Sequence, residues 1–200
     1  MAFPHERWIS PEEYPEIDRA SDVKYEYDSG HLYAMASGTQ AHARVAYNMA
    51  NLLDAHLTDK PCRFFQSDVK VQVAEDKYYY PDVTVTCNPE DIKDSLDVIS
   101  APRLVVEVLS PGTEYKDRGS KLRAYQACNS VEECILISTR QQAVEIYRRL
   151  PPTDLLQIPQ GDWAYRQYGP GEKVELISIG LAFPIEALYR LTDMPEQQLD

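Results

Sequence analysis

Long apolar runs are missing from this chain: no stretch approaches the ~18 consecutive apolar residues that a membrane span requires. The opening residues mix Glu6, Arg7 and Trp8 without an apolar run, so no secretory signal is expected there. Cysteine is sparse and unpatterned. Cys62, Cys87, Cys128 and Cys134 form no CxxC pair, which argues against a zinc ribbon or a disulfide scaffold. Reduced thiols and a cytoplasmic setting are the corresponding expectation. Basic charge is also short: 20 Lys and Arg stand against 32 Asp and Glu, a net −12 at pH 7. Such a surface repels phosphate backbones, so tight nonspecific nucleic-acid binding would need a local basic patch or a metal-loaded acidic cleft. There is no GxxxxGK[ST] or GxGxxG phosphate loop, and no GxSxG or HExxH. No helix-turn-helix or zinc finger is visible as a separate module for reading bases.

What is present describes an ordinary globular chain, with 44% hydrophobic and 26% charged residues among 200. One domain, 1–200, is expected, with a core over about 23–140 and a C-terminal β extension over 141–200. Ser10-Pro11-Glu12-Glu13 has the form of a helix start and predicts a short helix ending near Pro15. Val23–Tyr27 and Leu32–Ala36 flank Ser29-Gly30 as a hairpin. Thr39 caps a helix to about Thr58, with Val45, Met49, Leu52, Leu53 and Leu57 at helical spacing. Three strands follow, over 68–73, 78–87 and 104–109, then a helix over 113–128 and a strand over 134–139. Ala143–Tyr147 should pair back onto the last of these. Short strands around Trp163 and 174–179 follow the Pro151-Pro152 break, and 184–191 reads as a closing helix. The core order is helix, three strands, helix, strand.

Glu107 is the most informative residue. Val105, Glu107 and Leu109 share one face of a strand whose other face carries Leu104, Val106 and Val108. A carboxylate between two apolar faces is costly unless it is paired, protonated or bound to a metal. A buried salt bridge would satisfy it, and so would a catalytic role. Asp82, after Pro81, opens the preceding β-run; alone it is an ordinary strand start, but beside Glu107 it completes a two-carboxylate cluster suited to a hard cation such as magnesium. Asp117, Lys121 and Tyr125 are four apart on the following helix. That face fits either a surface ion pair or a cation turned toward the carboxylates. Glu26, His42 and Lys70 are accessory candidates, each with an ordinary reading as a strand-face acid, a satisfied histidine and a polar-face lysine. Tyr78, Tyr79 and Tyr80 fit core packing as well as base stacking.

Pro81-Asp82, the run Leu104 to Thr113, Asp117-Arg118-Gly119-Ser120-Lys121 and Tyr125 together resemble the family named "Putative restriction endonuclease", of the PD-(D/E)XK nuclease superfamily. The Tyr25-Glu26-Tyr27 hairpin, His42, Ser67-Asp68 and Val174-Glu175-Leu176 agree, so the likeness runs from about Val23 to Leu191. It implies a restriction-endonuclease-like α/β fold, an αβββαβ core with a mixed central sheet flanked by helices. It further implies a magnesium-dependent endonuclease acting on DNA, manganese substituting, and cutting two strands favours a homodimer with two sites. By the same resemblance, Asp82 and Glu107 hold the metal and Glu26 is the acid of the N-terminal element. The superfamily lysine stands two residues after the second acid, where this chain has Leu109, and Lys121 is its expected substitute. Two other readings use the same residues: a catalytically weak nuclease-fold binding or assembly module, and a phosphodiesterase on small substrates.

Overall fold

A computed structural model of the chain describes residues 7–35, 38–151 and 162–195. Ala36, Pro152 and the first six residues, which figured in the expectations above, lie outside the described residues.

The amino-terminal signal forms a reciprocal cap. The Glu13 N–H donates to Ser10 Oγ at 3.3 Å and the Ser10 N–H donates to Glu13 Oε2 at 3.0 Å. Helix α1 (Tyr14–Ala20) follows and runs past the expected stop at Pro15. Pro15 lies in the first turn, where its missing N–H has no partner to lose. Strands β1 (Tyr25–Asp28) and β2 (His31–Ala34) form the hairpin, with φ of 49° at Ser29 and 93° at Gly30, the paired positive values of a primed turn. Helix α2 (Gln40–Leu57) starts where Thr39 Oγ1 accepts the His42 N–H at 3.2 Å.

The remaining strands are β3 (Arg63–Gln66), β4 (Lys70–Ala74), β5 (Lys77–Tyr79), β6 (Val83–Thr86), β7 (Val98–Ile99), β8 (Pro102–Val108), β9 (Glu133–Ile137), β10 (Val144–Arg149), β11 (Trp163–Tyr168), β12 (Lys173–Leu176) and β13 (Leu181–Pro184). Between β8 and β9 the chain forms one helical turn, α3 (Glu114–Lys116), a π turn (Asp117–Lys121) and α4 (Leu122–Ala127). The main sheet has the order β11-β10-β9-β8-β6-β3, with β8 and β9 parallel and the other neighbours antiparallel. A second sheet has the order β2-β1-β5-β4-β7, and β12 and β13 form a hairpin. This is a mixed α/β fold.

The αβββαβ order is present, but its strands differ from those expected. The first core strand is β3, which sequence reading missed because Arg63–Gln66 shows no apolar alternation. The alternating segment that was expected there is β4, and it joins the second sheet. The single strand expected over 78–87 is two: β5 in the second sheet and β6 in the main one. Pro81 falls at the break, where a residue without an N–H cannot continue a ladder. The expected closing helix is a short 3₁₀ turn, Ile185–Ala187.

Both faces of the main sheet are covered. On one, Leu104, Val106 and Val108 pack with Val45, Met49 and Leu53 of α2 and with Val174 and Phe183 of the carboxy-terminal hairpin. On the other, Val105 and Cys134 pack with Leu122 and Tyr125 of α4 and with Val71 and Tyr79 of the second sheet. Each fully buried aliphatic side chain contributes roughly 1.5–3 kcal/mol. Cys62 and Cys87 form a disulfide, against the expectation of reduced thiols. They flank the Arg63–Thr86 pair of β3 and β6, so strand register, not any local spacing motif, brings them together. Cys128 and Cys134 are free and buried.

Candidate active site

The ladder between β6 and β8 places the two acids. Val83 pairs with Val106 and Thr84 with Val105, so the next step outward sets Asp82 opposite Glu107, on the face that carries Val105. Asp82 Oδ2 continues the ladder with its side chain, accepting the Val108 N–H at 2.7 Å. His42, in the first turn of α2, puts Nε2 3.3 Å from the same oxygen. That hydrogen bond raises the His42 pKa, burial opposes it, and the Asp82 charge adds to the rise. His42, which had an ordinary reading as a satisfied histidine, therefore stands at the acids.

Glu107 is buried, and its Oε1 takes two donors, the Tyr125 hydroxyl at 2.5 Å and Lys121 Nζ at 2.6 Å. Burial pushes the Glu107 carboxyl up to about 8; the Lys121 ammonium works against this, while Asp117, Asp82 and Glu26 reinforce it. Lys121 is equally enclosed. Its Nζ also meets Glu26 Oε1 at 2.8 Å and Asp117 Oδ1 at 3.6 Å. Burial alone would depress the Lys121 pKa, but Glu107, Glu26 and Asp117 outweigh it and keep the ammonium charged. For Asp117, burial wins over Lys121 and the pKa rises. For Glu26, burial pushes up but Lys121 and Lys116 reverse it, and the pKa falls. Tyr125 is driven far up, by burial first and the Glu107 charge second.

Glu107, Lys121, Asp117, Tyr125 and Glu26 thus form one hydrogen-bonded and ion-paired group, and Asp82 and His42 form a second, set beside it by the β6–β8 register. Lys70 joins neither: its Nζ meets Asp18 Oδ2 at 2.8 Å and Asp97 Oδ2 at 3.4 Å, which corrects the expectation that it reaches the acids. The three tyrosines pack inward: Tyr78 against Tyr14 and Tyr27, Tyr79 edge-on to Tyr125, and Tyr80 with its hydroxyl on Asp18. The one participant missed is Lys116, whose Nζ lies 2.8 Å from Glu26 Oε2. In a regular α-helix Lys116 and Lys121 would point about 140° apart. The π turn between them is wider and brings both onto Glu26. No residue pattern announces that turn. Three arginines are engaged elsewhere: Arg118 with Glu114 and Glu145, Arg148 with Glu133, and Arg149 with three backbone carbonyls.

The acids suit a hard cation. Among the described residues, Asp82 Oδ1 and Glu107 Oε2 accept no hydrogen bond, so each carboxylate keeps one oxygen for a ligand while the other is anchored. No three His, Cys, Asp or Glu side chains among the described residues converge as a closed metal cage. Magnesium commonly uses one or two carboxylates and completes its shell with water and phosphate oxygens, so the pair fits it.

A mixed sheet covered on both faces, with buried acids and a lysine toward one end, defines the class as a mixed α/β protein. The same fold is seen in a crystal structure described as a putative nuclease belonging to DUF820 from Anabaena variabilis, with a TM-score of 0.72 and 17% identity over 90% of this chain and 97% of that one. Residues 11–182 match the Uma2 family, described as "Putative restriction endonuclease", and the chain belongs to that family. It is similar to the uncharacterized protein slr1290 of Synechocystis sp., 37% identical over 91% of this chain and 92% of the relative. A second protein of that organism, the uncharacterized sll1609, is 28% identical over 71% of this chain and 81% of its own.

Proposed function

We propose that the chain is a magnesium-dependent endonuclease that hydrolyses DNA phosphodiester bonds. The observation that carries this reading is the Asp82–Glu107 pair: two acids opposite each other on one sheet face, each with one oxygen anchored and one unengaged. Asp82 and Glu107 would hold the ion, which when bound supplies charge neutralisation at the phosphoryl group and a more acidic water. Tyr125 and Lys121 hold Glu107 in one orientation. The Val108 N–H and His42 do the same for Asp82. Lys121 brings the positive charge that offsets the negative charge growing on the phosphoryl oxygens in the transition state, within a site that excludes most water. Cutting two strands calls for two such sites, which favours a homodimer.

Two observations favour a second reading, a weakly active binding or assembly module: the Lys121 ammonium is committed to three carboxylates, and the chain carries a net −12. The test is to incubate the protein with supercoiled plasmid, single-stranded DNA, RNA and a simple aryl phosphodiester, each with magnesium or manganese. Metal-dependent nicking of plasmid that Asp82→Asn abolishes is the expected result. Cleavage of the small diester alone would overturn the DNA reading, and metal binding with no cleavage at all would leave the module.

A further inference from the structure

We propose that Lys116 is a positioning residue: by taking up one oxygen of Glu26, it keeps Lys121 shared with Glu107 instead of captured by Glu26. The inference rests on the reading of Lys121 as the charge-stabilising cation of the site.

Lys121 Nζ stands between two acceptors at nearly equal range, Glu107 Oε1 at 2.6 Å and Glu26 Oε1 at 2.8 Å. Which of them holds it depends on how much of the Glu26 charge is met from elsewhere. Glu26 is buried, so its charge is poorly screened by water. Its other oxygen, Oε2, meets Lys116 Nζ at 2.8 Å, while the Tyr80 N–H donates to Oε1 at 3.4 Å. Lys116 is therefore the second counter-charge on Glu26.

The amino-terminal hairpin is shaped to receive it. Glu26 on β1 pairs directly across from Tyr33 on β2, and Lys116 Nζ lies 3.7 Å from the centre of the Tyr33 ring. The ammonium thus docks on a cross-strand pair, one member ionic and the other a π face. It reaches that socket only because the π turn brings residues five apart to one carboxylate. Without the Lys116 charge, the whole of the Glu26 carboxylate acts on Lys121 and draws it from Glu107.

A double-mutant cycle tests this. Lys116→Met should lower kcat on plasmid roughly tenfold, as small displacements of a charge-stabilising group do, with KM within about twofold. Lys116→Arg should restore most of the rate. In a Glu26→Gln background the same Lys116→Met change should alter kcat less than about twofold, because no carboxylate charge is left to compete for Lys121. A crystal structure of metal-free Lys116→Met should show Lys121 Nζ beyond about 3.5 Å from Glu107 Oε1. Lys116→Gln serves for both measurements if the methionine variant folds poorly. An unchanged kcat, or a full loss of rate retained in the Glu26→Gln background, would overturn the proposal. So would a raised KM with weaker salt dependence, the mark of a direct phosphate contact. If the parent protein cleaves no DNA, the nuclease reading fails by itself, and the position of Lys121 in the metal-free variant still decides the proposal.

Discussion

The Tyr125 hydroxyl donates to Glu107 Oε1 at 2.5 Å, from a helix packed on the sheet face that holds the acid. Both groups are buried, so no water replaces the bond if the hydroxyl is removed. Tyr125→Phe should therefore cost about 0.5–1.5 kcal/mol at neutral pH, the usual net worth of a hydrogen bond between uncharged groups. Urea denaturation of the metal-free protein measures it, and an unchanged midpoint would show that the bond contributes nothing.

Glu107 links stability and metal affinity to pH. Its carboxyl is pushed from an ordinary 4.5 up to about 8, so between those values the folded chain keeps a proton that the unfolded chain has lost. The stabilisation from this group is complete below 4.5 and disappears as pH rises through about 8. A metal competes with that proton, so magnesium or manganese affinity should climb across the same window and each binding event should release protons. Calorimetry in buffers of different ionisation enthalpy measures the release. Glu107→Gln should abolish metal binding and flatten the stability profile between pH 5 and 8 in the metal-free protein. Metal affinity that is flat with pH would contradict the shift.

Glu107 was legible as a buried, partnered acid because it interrupts a run that is apolar on both strand faces, a conflict that physics resolves only by pairing, protonation or metal. The hairpin, the Thr39 cap and the β8–helix–β9 unit were legible for the same reason: short-range rules of turn, cap and periodicity decide them. What escaped was non-local. β3 lacks alternation, and only its pairing with β6 places it in the main sheet. The Lys116–Glu26 contact depends on a π turn, which depends on packing and leaves no spacing signature. His42 and Lys70 had comparable standing in the sequence, and tertiary contacts divided them, sending one to Asp82 and the other to Asp18.

Glu133 offers a stability test away from the proposed chemistry. It is fully buried, at the start of β9, and its oxygens take Arg148 Nε at 2.7 Å, the Ile177 and Ser178 N–H groups, and the Ser178 hydroxyl at 2.5 Å. Arg148→Met leaves that carboxylate without its counter-charge, and the expected loss is about 3 kcal/mol. Magnesium affinity at the Asp82–Glu107 pair should stay within about twofold, since well-separated sites act independently. A fall in metal affinity as large as the fall in stability would mean that the two ends of the sheet are coupled.

The Cys62–Cys87 disulfide closes a loop over a sequence separation of 25, enclosing β4, β5 and the Pro81-Asp82 step between the two sheets. Cross-linking a loop of that size removes unfolded-state freedom worth about 3 kcal/mol. Mass spectrometry of protein digested without reductant should recover the cross-linked peptide pair. Cys62→Ser with Cys87→Ser should then lower the midpoint of urea denaturation, and reductant should lower that of the parent but not of the double variant. The strand pairing itself does not depend on the link, because Phe64 and Val85 stay opposite each other on β3 and β6 with backbone bonds between the strands. Asp82 should accordingly keep its place against the Val108 N–H, and metal affinity should survive reduction. Loss of metal binding on reduction alone would instead show that the cross-link, and not the ladder, holds the acid in position.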